Sequence, residues 1–130
     1  MIVVDTSVLV ALVRDEPDAI GLAARLLRSE RRVISAANWF EAAMVCEGRT
    51  ETGQPARFDA LVATLGLEVV PLTPAHAALA REAFRQYGKG RGASARLNFG
   101  DCFACALAKA LDAPLLFKGD DFVRTDVRRA

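Results

Sequence analysis

The sequence predicts an α/β fold, a three-layer α/β/α sandwich around a central parallel sheet of four to five short strands. Short β-branched runs, such as Ile2–Val4 and Arg32–Ser35, alternate with segments whose apolar residues recur at helical spacing. Strands that alternate with helices are typical of parallel sheets covered by helices on both faces. The 130 residues are expected to form a single domain, 1–130, with one buried core.

Local signals predict where each element begins and ends. Asp5 and Asn38 have the chemistry of helix N-caps, Pro17 suits a first helical turn, Thr73 and Pro74 begin another helix, and Gly48 suits a helix end. Polar loops with glycine are expected at 50–55 and 88–96. The predicted strands are 2–4, 32–35, 68–72 and 114–117, and the predicted helices are 6–13, 19–28, 39–47, 58–65, 74–87 and 101–111.

Composition limits the cellular setting more than it limits the function. The formal charge is +1, from 17 Lys and Arg against 16 Asp and Glu, so net charge neither favours nor excludes a polyanionic partner. The three cysteines have no spacing typical of a disulfide framework, which favours a reducing, cytoplasmic compartment. The longest apolar run near the start, Val8–Val13, is too short to span a bilayer, and no signal peptide is expected.

Acidic residues stand at corresponding ends of several predicted elements. Asp5 follows the first strand, Asp120 and Asp121 follow the last, and Asp101 and Glu41 lie in the first turns of predicted helices. In a parallel sheet the carboxyl ends of the strands lie at one edge, where ligands usually bind. We therefore expect these carboxylates to cluster, although Asp5 or Asp101 taken singly is explained more simply as a helix cap than as a ligand.

The predicted cluster needs a compensating positive charge. Glu41 has small or apolar neighbours on its helix, and an ionised carboxylate buried without a partner costs several kcal/mol or shifts its pKa. Two explanations stay open, a tertiary lysine such as Lys109 or Lys118, or a hard divalent cation. Mg²⁺ prefers oxygen ligands and is commonly held by one or two carboxylates together with a substrate phosphate.

Other candidate groups carry weaker signals. Lys89, Arg91 and Arg96 lie in the glycine-rich loop; basic loops are usually just solvated, but beside an acidic metal site these residues would hold a phosphate backbone. Cys102 and Cys105 have redox spacing but sit within an apolar helix.

Taken together, the segments MIVVDTSVLVALV, LNFGDCFACALAK and PLLFKGDDFVRTDV, with the helix that carries Glu41, resemble the PIN-domain ribonucleases, specifically the VapC toxins of type II toxin–antitoxin systems. The resemblance runs from Ile2 to about Val127. It implies a PIN-like fold, an endoribonuclease that depends on Mg²⁺ or Mn²⁺, a VapB-like antitoxin that blocks the site, and a homodimer.

The resemblance also implies roles for individual residues. Asp5, Glu41 and Asp101 correspond to the main metal-binding acids, with Thr6 or Ser7 as the hydroxyl residue that supports the first. The usual Thr-x-Asp pattern is replaced here by GDD, so the fourth acid is Asp121, or Asp120 as the next choice. Supporting positions are also expected at Asn98, beside Asp101, and at Asp126.

The expected reaction is hydrolysis of an RNA phosphodiester by water, which would leave 5′-phosphate and 3′-hydroxyl ends. The alternative is a non-catalytic or phosphotransfer α/β module that uses Asp5 at the strand end.

Overall fold

The structure is a computed structural model, and it describes residues 1–48 and 53–130. Within these ranges, helices and strands alternate along most of the chain. In chain order the elements are β1 (Ile2–Val4), α1 (Thr6–Val13), α2 (Ala19–Leu27), β2 (Arg32–Ser35), α3 (Ala36–Glu47), α4 (Gln54–Thr64), β3 (Glu68–Val70), α5 (Pro74–Tyr87), α6 (Phe99–Ala110) and β4 (Leu115–Leu116).

The four strands form one parallel sheet in the order β3-β2-β1-β4. Successive residues of a strand point to opposite faces, and the core divides accordingly. Val4 packs in a cluster with side chains of α1 to α4, whereas Val3 packs in a second cluster with α5 and α6. The predicted three-layer α/β/α sandwich is therefore confirmed, with a sheet of four strands.

Three predicted helix starts are wrong, by two to four residues. Ser35, not Asn38, caps α3, because its side chain accepts a hydrogen bond from the Ala37 backbone N–H. The chain thus passes from β2 into α3 with no loop between them. Similarly, α4 begins at Gln54 and not at residue 58, and α6 begins at Phe99 and not at residue 101.

The remaining boundaries differ less. β3 ends two residues before its predicted end, at Val70, and β4 is shorter than predicted. Of the loop expected at 50–55, residues 50–52 lie outside the described residues, and the rest runs into α4. The loop at 88–96 is closed at its base by the Leu97 backbone, whose N–H donates to the Tyr87 carbonyl at 2.9 Å. Within the described ranges, no helix combines the length and apolar character needed to cross a bilayer.

Arg32 holds together the edge of the sheet at which β2 begins. Its Nε donates to the Leu65 carbonyl at 2.6 Å, and its Nη1 donates to the carbonyls of Ser29 at 2.5 Å and Leu26 at 3.2 Å. The carbonyls of Ser29 and Leu65 lie beyond the last turns of α2 and α4, where no further helical turn can satisfy them, whereas Leu26 also accepts from the Ser29 backbone N–H at 3.1 Å. The guanidinium therefore joins two helices and a strand on the side away from the acidic residues.

Candidate active site

Asp5 lies directly beyond β1 and caps α1. Its backbone N–H donates to the Leu116 carbonyl of β4 at 3.0 Å, and the residue is only 4% exposed. Its Oδ2 accepts hydrogen bonds from the Ser7 backbone N–H at 2.9 Å and from the Ser7 hydroxyl at 2.6 Å. Burial raises the pKa of Asp5, the two bonds from Ser7 oppose that shift, and the negative charge of Glu41 adds to it.

Ser7 is therefore the hydroxyl residue that supports Asp5, as the sequence predicted for one member of the pair Thr6 and Ser7. Its Oγ also accepts a hydrogen bond at 3.0 Å from the Lys118 backbone N–H, which follows β4. One hydroxyl thus fixes both the first acid and the start of the segment that carries Asp120 and Asp121. The Thr6 hydroxyl instead donates to the Asn38 carbonyl.

Asp101 is the third residue of α6 and not its first. Asn98 caps this helix: its Oδ1 accepts from the Asp101 backbone N–H at 2.9 Å, and its own N–H donates to Asp101 Oδ2 at 2.9 Å. This reciprocal pair is a capping box, and it fixes the orientation of the carboxylate. Burial raises the pKa of Asp101 to about 7; the bond from Asn98 opposes this, and the charges of Asp5, Asp121 and Glu41 contribute further.

Glu41 is partly buried and faces the start of α6. It lies in the second turn of α3, one turn later than predicted, because the helix begins earlier. A Cβ added to Gly100 would lie 2.2 Å from Glu41 Oε2. Glycine at position 100 therefore leaves the space that the Glu41 carboxylate occupies beside Asp101. Glu47 is exposed and does not share this position.

Asp120 and Asp121 are both exposed in the turn after β4. The charge of Asp121 contributes to the raised pKa of Asp101, which places Asp121 within electrostatic reach of the other acids. The structure thus favours Asp121 over Asp120 as the fourth member of the group. Below, "the acidic group" means Asp5, Glu41, Asp101 and Asp121.

Lys109 and Lys118, the two lysines that could have supplied the compensating positive charge, do not neutralise the acidic group. Lys109 pairs with Asp126 at 3.0 Å, and Lys118 pairs with Glu16 and, at 3.1 Å, with Asp18. Across residues 1–48 and 53–130, no ion pair reaches any of the four acids. The pair with Lys109 also places Asp126 in contact with the last turn of α6, at the opposite end from Asp101, so the structure does not bring Asp126 to the acidic group.

The carboxylates have the right chemistry for a hard cation but do not form a finished cage. In the described part of the chain, no three acidic, histidine or cysteine side chains already form a group that could hold a metal ion. Two of the acids are instead turned towards hydrogen-bond donors, Asp5 towards Ser7 and Asp101 towards Asn98. A cation with one or two carboxylate ligands, completed by water or phosphate oxygens, fits this arrangement.

Comparison with known proteins places the chain in a family. The sequence model of the PIN domain matches residues 2–128. VapC ribonuclease Mb0625 of Mycobacterium bovis is 41% identical over 128 residues, which cover 98% of this chain and 96% of that protein. The chain is a PIN domain of the VapC family. The resemblance inferred from the sequence is thereby confirmed.

Solved structures with less similar sequences share the fold of this PIN domain. Mycobacterium tuberculosis VapC20, described as a toxin that cleaves the sarcin-ricin loop, superposes with a TM-score of 0.77 at 20% identity; the match covers 100% of this chain and 98% of that one. VapBC2 of Rickettsia felis, solved bound to a DNA fragment from its promoter, gives a TM-score of 0.73 at 18% identity, with 99% and 96% covered. Both matches extend over nearly the whole PIN domain.

Sequence analysis missed the residue that joins the helices of this PIN-domain site. The Asn38 side chain is fully buried, and its Nδ2 donates to the Gly100 carbonyl at 2.9 Å and to Thr6 Oγ1 at 3.3 Å. Thr6 Oγ1 in turn donates to the Asn38 carbonyl at 3.1 Å. Asn38 therefore ties α3, which carries Glu41, to the first turns of α1 and α6. The sequence signal for this role is a polar residue on an apolar helix face. The same residue also has the chemistry of a helix N-cap, which is the role the sequence favours.

The three loop residues predicted to bind RNA do not lie together. Arg91 is placed over the Phe84 ring, with its guanidinium carbon 5.9 Å from the ring centroid, and Lys89 lines a cavity between α5 and α6. Arg96 instead lines a cavity with Asp120 and Asp121. Of the three, Arg96 is thus the residue that adjoins the acidic group of the PIN domain.

The cysteines of α6 are structural. Burial raises the pKa of both the Cys102 and the Cys105 thiol to about 11, so neither is a reactive thiolate near neutral pH.

Proposed function

We propose that this PIN domain is a divalent-metal-dependent endoribonuclease and the toxin of a toxin–antitoxin pair. One observation carries the proposal: the charges of Asp5, Glu41 and Asp121, from separate elements, all act on Asp101 at one edge of the sheet, and no ion pair among the described residues compensates the four acids. Burial of Asp5 and Asp101, together with the repulsion they meet from neighbouring acids, opposes folding unless a cation offsets it. The relatives named as VapC ribonucleases support RNA as the substrate.

Mg²⁺ or Mn²⁺ is the expected cation. Asp5, Glu41 and Asp101 would hold it, and Asp121 would hold a second ion if one binds. When bound, such an ion neutralises charge on a phosphodiester and lowers the pKa of a water molecule towards neutrality.

The residues around the acids hold them in position for this chemistry. Ser7 donates two hydrogen bonds to Oδ2 of Asp5, and the Asn98 backbone N–H donates to Oδ2 of Asp101, so among the described residues Oδ1 of each acid has no side-chain donor. The N-termini of α1 and α6 both lie at this edge, and the positive ends of the two helix dipoles favour a phosphate anion. Because water is the expected nucleophile, the products would carry 5′-phosphate and 3′-hydroxyl ends.

A VapB-like antitoxin is the proposed partner, supported by the similarity of this fold to the toxin of the Rickettsia felis VapBC2 complex. A homodimer is proposed on the family resemblance alone. The three free, buried cysteines are consistent with a reducing cytoplasm as the site of action.

The proposal is tested by RNA cleavage with the purified, antitoxin-free protein. Total RNA is incubated with Mg²⁺ or Mn²⁺, with EDTA, and with the Asp5→Ala, Asp101→Ala double variant; a variant of an exposed acid on α4, Asp59→Asn, is the matched control. Cleavage by wild type and Asp59→Asn only, abolished by EDTA, is the expected result. Identical cleavage patterns from wild type and the double variant would contradict the assignment, and a phosphate trapped on Asp5 would favour phosphotransfer instead.

A further inference from the structure

A cavity of about 420 Å³ lies between the loop before α6 and the turn after β4. One wall is formed by residues 94–96, and the other by Asp120, Asp121, Val123 and Arg124. Its volume is within the range of cavities that bind small ligands. Arg124 was not singled out by its sequence context, and it has no part in the acidic group.

The cavity adjoins the acidic group through Asp121. This residue lines the cavity, and its charge also acts on Asp101 at the start of α6. A polymeric substrate with one phosphodiester at the carboxylates would therefore place a neighbouring nucleotide at or in this cavity.

Two arginines that line the cavity, Arg96 and Arg124, bring positive charge that no ion pair of the described ranges neutralises. Ion pairs between side chains in the described ranges engage Arg31, Arg85, Lys109, Lys118 and Arg128, but neither Arg96 nor Arg124. Both guanidinium groups therefore lie more than 4.0 Å from any carboxylate of those ranges, although Asp120 and Asp121 line the same cavity. Guanidinium groups without a protein partner are well suited to bind phosphate oxygens in pairs.

The turn that presents Arg124 is well anchored. Phe122 is buried against Phe117, with ring centroids 5.0 Å apart, and its carbonyl accepts a hydrogen bond from the Thr125 hydroxyl at 2.7 Å. Val123, which is 55% exposed, supplies an apolar surface at the cavity wall beside Arg124. The wall thus offers positive charge and apolar surface side by side, which suits a phosphate attached to a sugar or base.

We propose that this cavity binds a nucleotide of the RNA next to the scissile phosphodiester, with Arg96 and Arg124 on its phosphate and Val123 against its ribose or base. The inference rests on the proposed ribonuclease function, since it takes the acidic group as the point of cleavage. It assigns to Arg124 and Val123 a role in positioning substrate that is separate from the chemistry at the carboxylates.

The test separates binding from cleavage. Binding of a fluorescein-labelled single-stranded RNA octamer is followed by fluorescence anisotropy in EDTA over a series of salt concentrations, for wild type, Arg124→Ala and Arg96→Ala. Arg28→Ala, which removes an exposed arginine from the end of α2, is the matched control. Each cavity variant is expected to bind about tenfold more weakly, with the slope of log affinity against log salt reduced by about 0.7. In Mg²⁺, Arg124→Ala is expected to raise KM for RNA cleavage while kcat stays within about twofold.

The outcomes distinguish this inference from the proposed function. Cleavage by wild type with unchanged affinity and KM in both cavity variants would overturn the nucleotide site and leave the ribonuclease assignment standing. Absence of cleavage by wild type, with octamer binding that depends on Arg96 and Arg124, would overturn the ribonuclease and leave an RNA-binding cavity. Equal loss of affinity in Arg28→Ala, or no octamer binding by wild type, would also overturn the nucleotide site.

Discussion

Substitution of Asp101 by asparagine should stabilise the metal-free protein in alkaline solution. The asparagine side chain keeps an oxygen that can accept the hydrogen bond from the Asn98 N–H, so the capping box at the start of α6 is retained. What the substitution removes is a carboxylate that is 7% exposed and repelled by Asp5, Glu41 and Asp121.

The size and pH dependence of the effect follow from the raised pKa. Folding moves the pKa of Asp101 from 3.8 to about 7, which corresponds to at most about 4 kcal/mol, and solvent screening at the sheet edge reduces this to about 2 kcal/mol. Because the folded state binds the proton more tightly, the free energy of unfolding falls as pH rises from about 4 to about 7. The loss of unfolding free energy is complete above pH 7, where Asp101 is ionised in both the folded and the unfolded state.

Urea unfolding in EDTA at pH 5 and pH 8.5 measures this contribution. Relative to wild type, Asp101→Asn should gain about 2 kcal/mol at pH 8.5 and less than about 1 kcal/mol at pH 5. Asp59→Asn, which changes an exposed aspartate on α4, should differ little from wild type at either pH. An Asp101→Asn variant with no additional stability at pH 8.5 would refute the account of a repulsive, buried acid.

Two further substitutions separate activity from stability. Gly100→Ala should reduce RNA cleavage at least tenfold while the free energy of unfolding changes by about 1 kcal/mol or less, since the three atoms nearest the new methyl group belong to the carboxylate end of the flexible Glu41 side chain. Gly21→Ala, at a position with open space, should preserve cleavage, and equal activity in the two variants would argue against a role for Glu41. Arg32→Ala should lower the free energy of unfolding by about 2 kcal/mol because the carbonyls of Ser29 and Leu65 lose their donor. Urea unfolding beside Arg28→Ala checks this, and equal stability of the two arginine variants would contradict it.

The sheet and its acidic edge were predictable because their signals are local. Ile2–Val4 is β-branched throughout, Asp5 has cap chemistry, and alternation of strands with helices implies that the carboxyl ends of the strands share an edge. The position of Asp101 was less well predicted. The apolar run after it suggested a helix start, whereas the Asn-x-x-Asp spacing from Asn98 is a capping box that places the start two residues earlier, at Phe99.

Contacts between residues distant in sequence could not be predicted from local pattern. Asn38 bonds to residues 32 and 62 positions away, Thr6 and Gly100. Similarly, the partners of Lys109 and Lys118 depend on how the C-terminal segment and the turn between α1 and α2 are packed. Arg124 lies in a short polar turn without periodicity, so only the folded chain places it beside Arg96.

The central claim is that the acidic group holds a divalent cation, and direct titration with Mn²⁺ tests it. Electron paramagnetic resonance measures free Mn²⁺ as protein is added at pH 7.5, for wild type, for the Asp5→Asn, Asp101→Asn double variant and for Asp59→Asn. Wild type and Asp59→Asn should remove at least one equivalent of Mn²⁺ from solution, and the double variant should remove almost none. Equal uptake of Mn²⁺ by all three proteins, or no uptake by wild type, would contradict the claim.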